Sequence, residues 1–307
     1  MKIGFFTTCF PNLSIKEIAK FASENGFEAL EIAAWPNDAD RNEYAPAHLD
    51  IDALSQGHGV SELKGMMEGL NLEISSLGYY PNNLDPDDAK REKYHGHLKK
   101  VIDAAEKLGV ELVGTFVGRD TYSPLEKEIE RAKRIFPPLI KYAEDHGVKI
   151  MIENCAATHL VIPQGFPLGM NVAYAPAIWR ALFEAIPSPN FGLNFDPSHL
   201  YWLGVDYLRA IREFGDRIFH FHAKDTELLP EKLYENGFLG TGWFRYRAPG
   251  YGSIDWREVI KALYDIDYDY VISIEHEDPV WEGTVDKVKQ GLWLGKRELE
   301  RHIPLKR

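Results

Sequence analysis

Residues 2–34 read KIGFFTTCFPNLSIKEIAKFASENGFEALEIAA, one complete strand–helix–strand unit. Ile3 to Thr8 is apolar and then β-branched, which suits a strand. Ser14 is placed to cap a helix, with Glu17 three residues on. Ile15, Ile18, Ala19 and the Phe21-Ala22 pair then recur at helical spacing. Asn25-Gly26 closes the helix, and Phe27 to Ala34 opens the next strand. Outward from this unit the pattern repeats to the far end of the chain. Strand-like runs occur at Leu72–Tyr79, Glu111–Val117, Lys149–Asn154, Phe191–Asp196, Ile218–Ala223 and Tyr270–His276. Helical stretches lie between them near 60–69, 88–108, 124–146, 176–185, 206–214, 255–265 and 284–300. Glu24-Asn25-Gly26, Lys107-Leu108-Gly109 and Asp145-His146-Gly147 each mark a helix end before a strand. Eight strands alternating with eight helices predict an α/β protein with a parallel sheet, closed as a single (β/α)8 TIM barrel over residues 1–307. An open doubly wound sheet is the rival architecture, but no G-x-G-x-x-G follows the first strand, where a dinucleotide-binding sheet would carry one. Two connections are long, Ala156 to Ala175 after the fifth strand and Thr226 to Ile254 after the seventh. Both leave the C-terminal ends of strands, where barrel active sites are built.

The 307 residues are 45% hydrophobic and 27% charged, as in a soluble globular protein. With 35 Lys and Arg against 47 Asp and Glu, the formal charge is −12. Such a surface repels polyphosphate, so neither nucleic acid nor an anionic membrane is an expected partner. Cys9 and Cys155 are too few for a disulfide framework and suit a reducing compartment. The N-terminal Lys2-Ile3-Gly4-Phe5-Phe6 is too short for a signal h-region, and no apolar run approaches the roughly 18 residues of a spanning helix. A cytoplasmic location is the expectation.

A buried barrel strand should be apolar throughout, yet four consecutive strands here end in ionisable residues. They give Glu153 in KIMIEN, Asp196 and His199 in FGLNFDPSH, His220 and His222 in IFHFHAKD, and Glu275 in YVISIEHED. Steps of 43, 26 and 53 residues separate Glu153, Asp196, His222 and Glu275 in turn, so successive units bring them to one rim. Three carboxylates converging there repel one another unless a cation joins them. With one imidazole they form an O3N set suited to a divalent ion, Mn²⁺ best, with Mg²⁺, Co²⁺ or Zn²⁺ also fitting. His220 and His222 share strand parity. His222 lies nearer the rim and is the preferred ligand, and His220 is expected deeper with a hydrogen-bond partner.

Together, Glu153-Asn154, Asp196-Pro197-Ser198-His199, His220-Phe221-His222-Ala223-Lys224-Asp225 and Ile274-Glu275-His276-Glu277 resemble the signature of the xylose-isomerase-like sugar phosphate isomerase/epimerase superfamily. This superfamily, whose barrel is of the AP endonuclease family 2 type, also contains endonuclease IV. The resemblance implies a single TIM barrel with a metal held at Glu153, Asp196, His222 and Glu275, and a substrate or metal contact for His199. Endonuclease IV-like members add histidines after the third and fourth strands and an Asp-x-His after the seventh. Here the third strand ends Leu77-Gly78-Tyr79-Tyr80, the fourth ends Phe116-Val117-Gly118-Arg119-Asp120, and the loop 226–254 lacks histidine, which argues against DNA repair.

The expected activity is a metal-dependent sugar isomerase or epimerase. An ion with open positions polarises a keto oxygen and stabilises the enediolate left when the neighbouring carbon loses a proton. Glu153 and Glu275 are the candidate acid/base pair. His199 would orient a substrate oxygen, and Glu31 would meet a sugar hydroxyl or His199. Trp35, Tyr79, Tyr80, Trp202, Trp243, Phe244, Tyr246 and Tyr251 crowd the expected rim, where rings can stack on sugar faces. Arg245 and Arg247 would bind an anionic group or pair with surface acids. His58, His95 and His97 fall near helix starts and are expected at the surface. Cys155 has no evident general-base partner. The long loop after the seventh strand looks more like that of superfamily members acting on 3-keto-glycosides, so a lyase or deglycosidase using the same enolisation is an alternative. A catalytically silent barrel subunit is another. The expected partner is a small carbohydrate, with homo-oligomerisation open.

Overall fold

The capping signal at Ser14 is realised. Ser14 N donates to Glu17 Oε2 at 2.9 Å, Glu17 N returns to Ser14 Oγ at 3.3 Å, and the helix runs Ile15–Glu24. A computed structural model describes residues 1–37, 46–156 and 169–304. In it the eight expected strands are β1 (Lys2–Phe6), β2 (Ala29–Ala33), β3 (Glu73–Gly78), β4 (Leu112–Thr115), β5 (Lys149–Glu153), β6 (Phe191–Phe195), β7 (Ile218–Ala223) and, after a hairpin, β10 (Val271–Ile274). They pair in parallel in the order β1-β10-β7-β6-β5-β4-β3-β2 and close on themselves, with Lys2 opposite Val271 and Phe5 opposite Ile274. The expected (β/α)8 barrel is the fold.

The strands are two-faced. Ile3 and Phe5, Leu30 and Ile32, Leu193 and Phe195, and Ile272 and Ile274 join one continuous core with the surrounding helices. The lumen instead holds polar side chains, and Glu31, Asn194, His220 and His222 meet across it. Small residues make room for them: a Cβ at Gly114 would stand 2.3 Å from the Tyr80 hydroxyl. Gly114→Ala is therefore expected to cost about 1–3 kcal/mol, read as a lower denaturant midpoint at unchanged m.

The connection after β7 is more ordered than a loop reading implies. It folds as an antiparallel hairpin, β8 (Asp225–Leu228) against β9 (Phe244–Arg247), with a helix at Pro230–Asn236 between. Glu227 lies opposite Arg245 in this register and accepts from its Nε at 2.7 Å. Asp225 anchors the return segment, accepting from Ile254 N at 3.0 Å, Gly250 N at 3.0 Å and Trp256 Nε1 at 2.9 Å. Of the connection after β5, residues 157–168 lie outside the described residues. Its far end is tied down by Asn171, whose Nδ2 donates to Glu153 O at 2.9 Å and Cys155 O at 2.7 Å.

Short helices at Ile51–Ser55 and Pro197–Trp202 were not expected, because five or six residues hold too little of a helical period. His97 corrects the surface assignment. It is buried in the helix Asp88–Leu108, with Nε2 2.8 Å from Ala34 O, joining that helix to the end of β2. Among the described residues, no helix is long and apolar enough to cross a membrane.

Candidate metal centre

Glu153 ends β5, Asp196 and Glu275 immediately follow β6 and β10, and His222 is the penultimate residue of β7. One ligand atom from each lies within 4.8 Å of the other three, and all four side chains are buried. Local sequence holds them there. Asn154 clamps the adjacent strand end, donating to Asp196 O and accepting from Asp196 N, both at 2.7 Å. Asp196 caps the helix Pro197–Trp202 by accepting from Ser198 N at 2.7 Å, with Pro197 in the first turn, and that helix presents His199.

The His222 ring is set from behind. Its Nε2 lies 2.8 Å from Glu31 Oε2, while Tyr80 donates to Glu31 Oε1 at 2.8 Å. A carboxylate on one ring nitrogen leaves the other for a metal and raises its basicity. Nδ1 indeed faces the cluster, 3.0 Å from Glu275 Oε2 and 3.4 Å from Glu153 Oε1. His220 sits deeper, with Asn194 Oδ1 and Ser75 Oγ each at 3.1 Å. Glu31 thus serves His222 rather than His199 or a sugar hydroxyl, since it is wholly buried with both oxygens engaged. Glu31→Gln is expected to weaken divalent-ion affinity about 10–100-fold, measured by competition with a chromophoric chelator.

Four buried atoms at this point make no hydrogen bond among the described residues: Glu153 Oε1, Asp196 Oδ2, His199 Nε2 and His222 Nδ1. Buried polar atoms are ordinarily satisfied, and lone pairs left unused around one point suit a divalent cation. The donor set is three carboxylates and one imidazole, as for Mn²⁺ or a similar ion. The charges agree. Burial, with Glu153 and Glu277 nearby, pushes the Glu275 carboxyl up to about 7 against the pull of Lys224 and His222. Glu153 is also buried, yet His199, His222 and Lys224 hold it down at about 2. Asp196 is held low by Lys224 and His199 despite its burial. Burial therefore opposes the charge of Glu275, and a cation beside it would favour the ionised form.

Lys224 is the residue that sequence reasoning missed. It is 1% exposed, and its Nζ reaches Glu275 Oε2 at 2.7 Å, Glu277 Oε2 at 3.1 Å and Asp196 Oδ2 at 3.3 Å. The signal lay in strand parity, because residues 220, 222 and 224 share one face. Tyr80 and Tyr246 are also more engaged than expected: Tyr80 bonds Glu31, and the Tyr246 hydroxyl lies 2.9 Å from His199 Nδ1.

Other expected substrate residues divide. Trp35 is half-buried beside Phe6 and Tyr80, and Phe6 stacks on His222. Trp202 is buried and stacks on Phe244 at 4.6 Å, with Trp243 edge-on, forming an aromatic cluster around the hairpin. Tyr79 is a correction. It is 3% exposed in the outer core, edge-on to His97, while Tyr80 takes the inward position. Arg245 and Arg247 take the second of their two expected roles, pairing with acids. Both donate to Glu227, and Arg247 also donates to Asp278 at 2.9 Å, so both guanidinium groups brace the hairpin. Cys155 lies against His199, and burial pushes its thiol up, which makes it a poor nucleophile.

A family model described as a xylose isomerase-like TIM barrel matches residues 19–296. The inosose isomerase of Bacillus velezensis (strain DSM 23117 / BGSC 10A6 / LMG 26770 / FZB42) is 25% identical, over 90% of this chain and 88% of that protein. The fructoselysine 3-epimerase of Shigella flexneri is 23% identical, over 90% of each. Among solved structures, the IolI protein with a bound zinc atom superposes with a TM-score of 0.73 at 19% identity, over 99% of this chain and 100% of that one, a likeness of fold.

Proposed function

The chain belongs to the xylose isomerase-like TIM-barrel family, and on that premise we propose that it is a divalent-metal-dependent sugar isomerase or epimerase acting on a keto-sugar or keto-glycoside. The observation carrying this reading is the convergence of Glu153, Asp196, His222 and Glu275, with three of their four inward atoms lacking a hydrogen bond among the described residues. The isomerase and epimerase activities named for similar proteins support it. Those four residues would hold the ion, to which we assign Mn²⁺, with Mg²⁺, Co²⁺ or Zn²⁺ fitting the same donors. A divalent ion supplies Lewis acidity at a keto oxygen and its neighbouring hydroxyl, which acidifies the adjacent C–H.

The protein's own groups then divide the proton transfers. Glu153 and Glu275 come from β5 and the end of β10, which β6 and β7 separate around the barrel. They therefore approach a sugar from different sides. One carboxylate takes the proton from carbon, leaving an enediolate, and the other returns one. Return to the opposite face of the same carbon gives an epimer, and return to the next carbon gives an isomer. Lys224 Nζ holds Glu275 Oε2 in place. His199 orients a substrate oxygen through Nε2, with Tyr246 setting its tautomer from Nδ1. Trp35 and Trp202 would flank the sugar with their rings. The aromatic cluster of Trp202, Trp243, Phe244 and Tyr246 favours one further reading, in which a glycoside substrate is enolised and then eliminates its aglycone.

Incubation in D2O with a panel of ketoses and 3-keto-glycosides tests the proposal. Deuterium is expected to enter next to the carbonyl of at least one member. A panel without any exchange contradicts it.

A further inference from the structure

We propose that Ser75, His220 and Asn194, deeper in the lumen than the metal centre, are positioning residues. With Tyr80 they form a one-way hydrogen-bond chain that ends on Glu31 and so fixes His222. Ser75, His220, Asn194 and Glu31 are wholly buried, and buried polar groups need partners within the fold. The contacts run from Ser75 Oγ to His220 Nε2 at 3.1 Å and from His220 Nδ1 to Asn194 Oδ1 at 3.1 Å. They continue from Asn194 Nδ2 to the Tyr80 hydroxyl at 2.9 Å and from that hydroxyl to Glu31 Oε1 at 2.8 Å. The carboxylate sets the direction of every link. An ionised Glu31 only accepts, so Tyr80 gives it the phenolic proton and His222 gives it the Nε2 proton at 2.8 Å. The Tyr80 oxygen then accepts from the Asn194 amide nitrogen, which turns Asn194 Oδ1 to His220. That oxygen only accepts, so His220 carries its proton on Nδ1 and accepts from Ser75 at Nε2. Asn194 Nδ2 also stands 2.9 Å from His222 Nε2, and an amide N–H offers that ring proton no acceptor, so it goes to Glu31.

The backbone supplies a second, independent observation. β2 and β3 pair Leu30 with Ile74 and then Glu31 with Ser76, which leaves Ser75 as an extra residue. β6 and β7 pair Leu193 with Ile218 and then Asn194 with His220, which leaves Phe219 extra. Such bulges redirect side chains and recur beside functional sites. Here one bulge sets Ser75 itself, and the other sets Asn194 directly against His220. Tyr270 donates to Ser75 O at 3.0 Å and holds the first bulge from the neighbouring wall. The chain matters because Glu31 aims the ring whose Nδ1 faces the cluster. Without the His220 proton the Asn194 amide can turn over, its oxygen draws the Tyr80 proton, and Glu31 loses a donor. The effect on ion binding rests on the metal centre proposed above, while the proton positions do not.

Long-range ¹H–¹⁵N NMR of the full-length, metal-free protein, labelled at histidine, reads the proton positions. His220 is expected to carry its proton on Nδ1, with its signals assigned by their loss in His220→Asn. A proton on Nε2 reverses the chain and overturns the inference. Competition for Mn²⁺ with a chromophoric chelator then separates positioning from packing. His220→Asn keeps a donor near the place of Nδ1 but loses volume, whereas His220→Phe keeps the ring and loses the donor. Affinity is expected within about threefold of wild type in the first and at least about tenfold weaker in the second. Equal affinities, or the reverse order that packing alone would give, overturn the inference and leave the proposed function standing. Should His220→Phe not fold, the proton position in the wild type decides. Wild-type protein that binds no divalent ion overturns the proposed function, and the NMR result still decides the chain.

Discussion

Asp196→Asn is expected to leave a folded barrel that binds a divalent ion at least about 100-fold more weakly, because even a hydrogen-bond partner of a ligand is worth about 10–100-fold. The substitution separates two roles of one side chain. Asp196 caps the helix Pro197–Trp202 through Ser198 N at 2.7 Å, and asparagine caps nearly as well. The buried Oδ2, which makes no hydrogen bond among the described residues, is the atom that loses its charge. Metal content per chain, measured with circular dichroism on the same sample, reads both roles. Full metal retention in a folded variant would remove Asp196 from the ligand set. Collapse of the fold would instead show that the cap outweighs the ligand.

Glu153→Gln and Glu275→Gln are each expected to lower product formation about 10²–10⁴-fold at saturating metal, the usual worth of a positioned acid or base. A carboxamide can still offer an oxygen to a cation, but it cannot carry the proton. Glu153 and Glu275 occupy unlike surroundings. The first faces two imidazoles, at 3.4 and 3.5 Å, and the second is gripped by Lys224 at 2.7 Å. Conversion followed by NMR, alongside the metal content of each variant, separates lost proton transfer from lost ion. Retained turnover in either variant would exclude that residue from the pair.

The barrel and the convergence of its four ligand candidates were legible for one physical reason. Parallel strands buried on both faces should be apolar, so Glu153, Asp196, His222 and Glu275 stand out, and their spacing by whole units brings them to one rim. What escaped depended on contacts far apart in sequence. Glu31 serves His222, 191 residues away. Arg245 and Arg247 could bind an anion or pair with acids until the hairpin register sets them against Glu227 and the fold supplies Asp278. Tyr79 and Tyr80 are adjacent beyond the end of β3, where alternation no longer says which faces inward. Lys224 directly follows β7, and its parity with His220 and His222 places it on their face.

One measurement tests the central claim most directly: deuterium entry beside the keto group of a responsive sugar, followed through chelation and reloading of the wild-type protein. Exchange that stops when the ion is removed and returns on adding Mn²⁺, but fails to return in Asp196→Asn at the same ion concentration, is the predicted result. Undiminished exchange by protein stripped of metal would contradict the account.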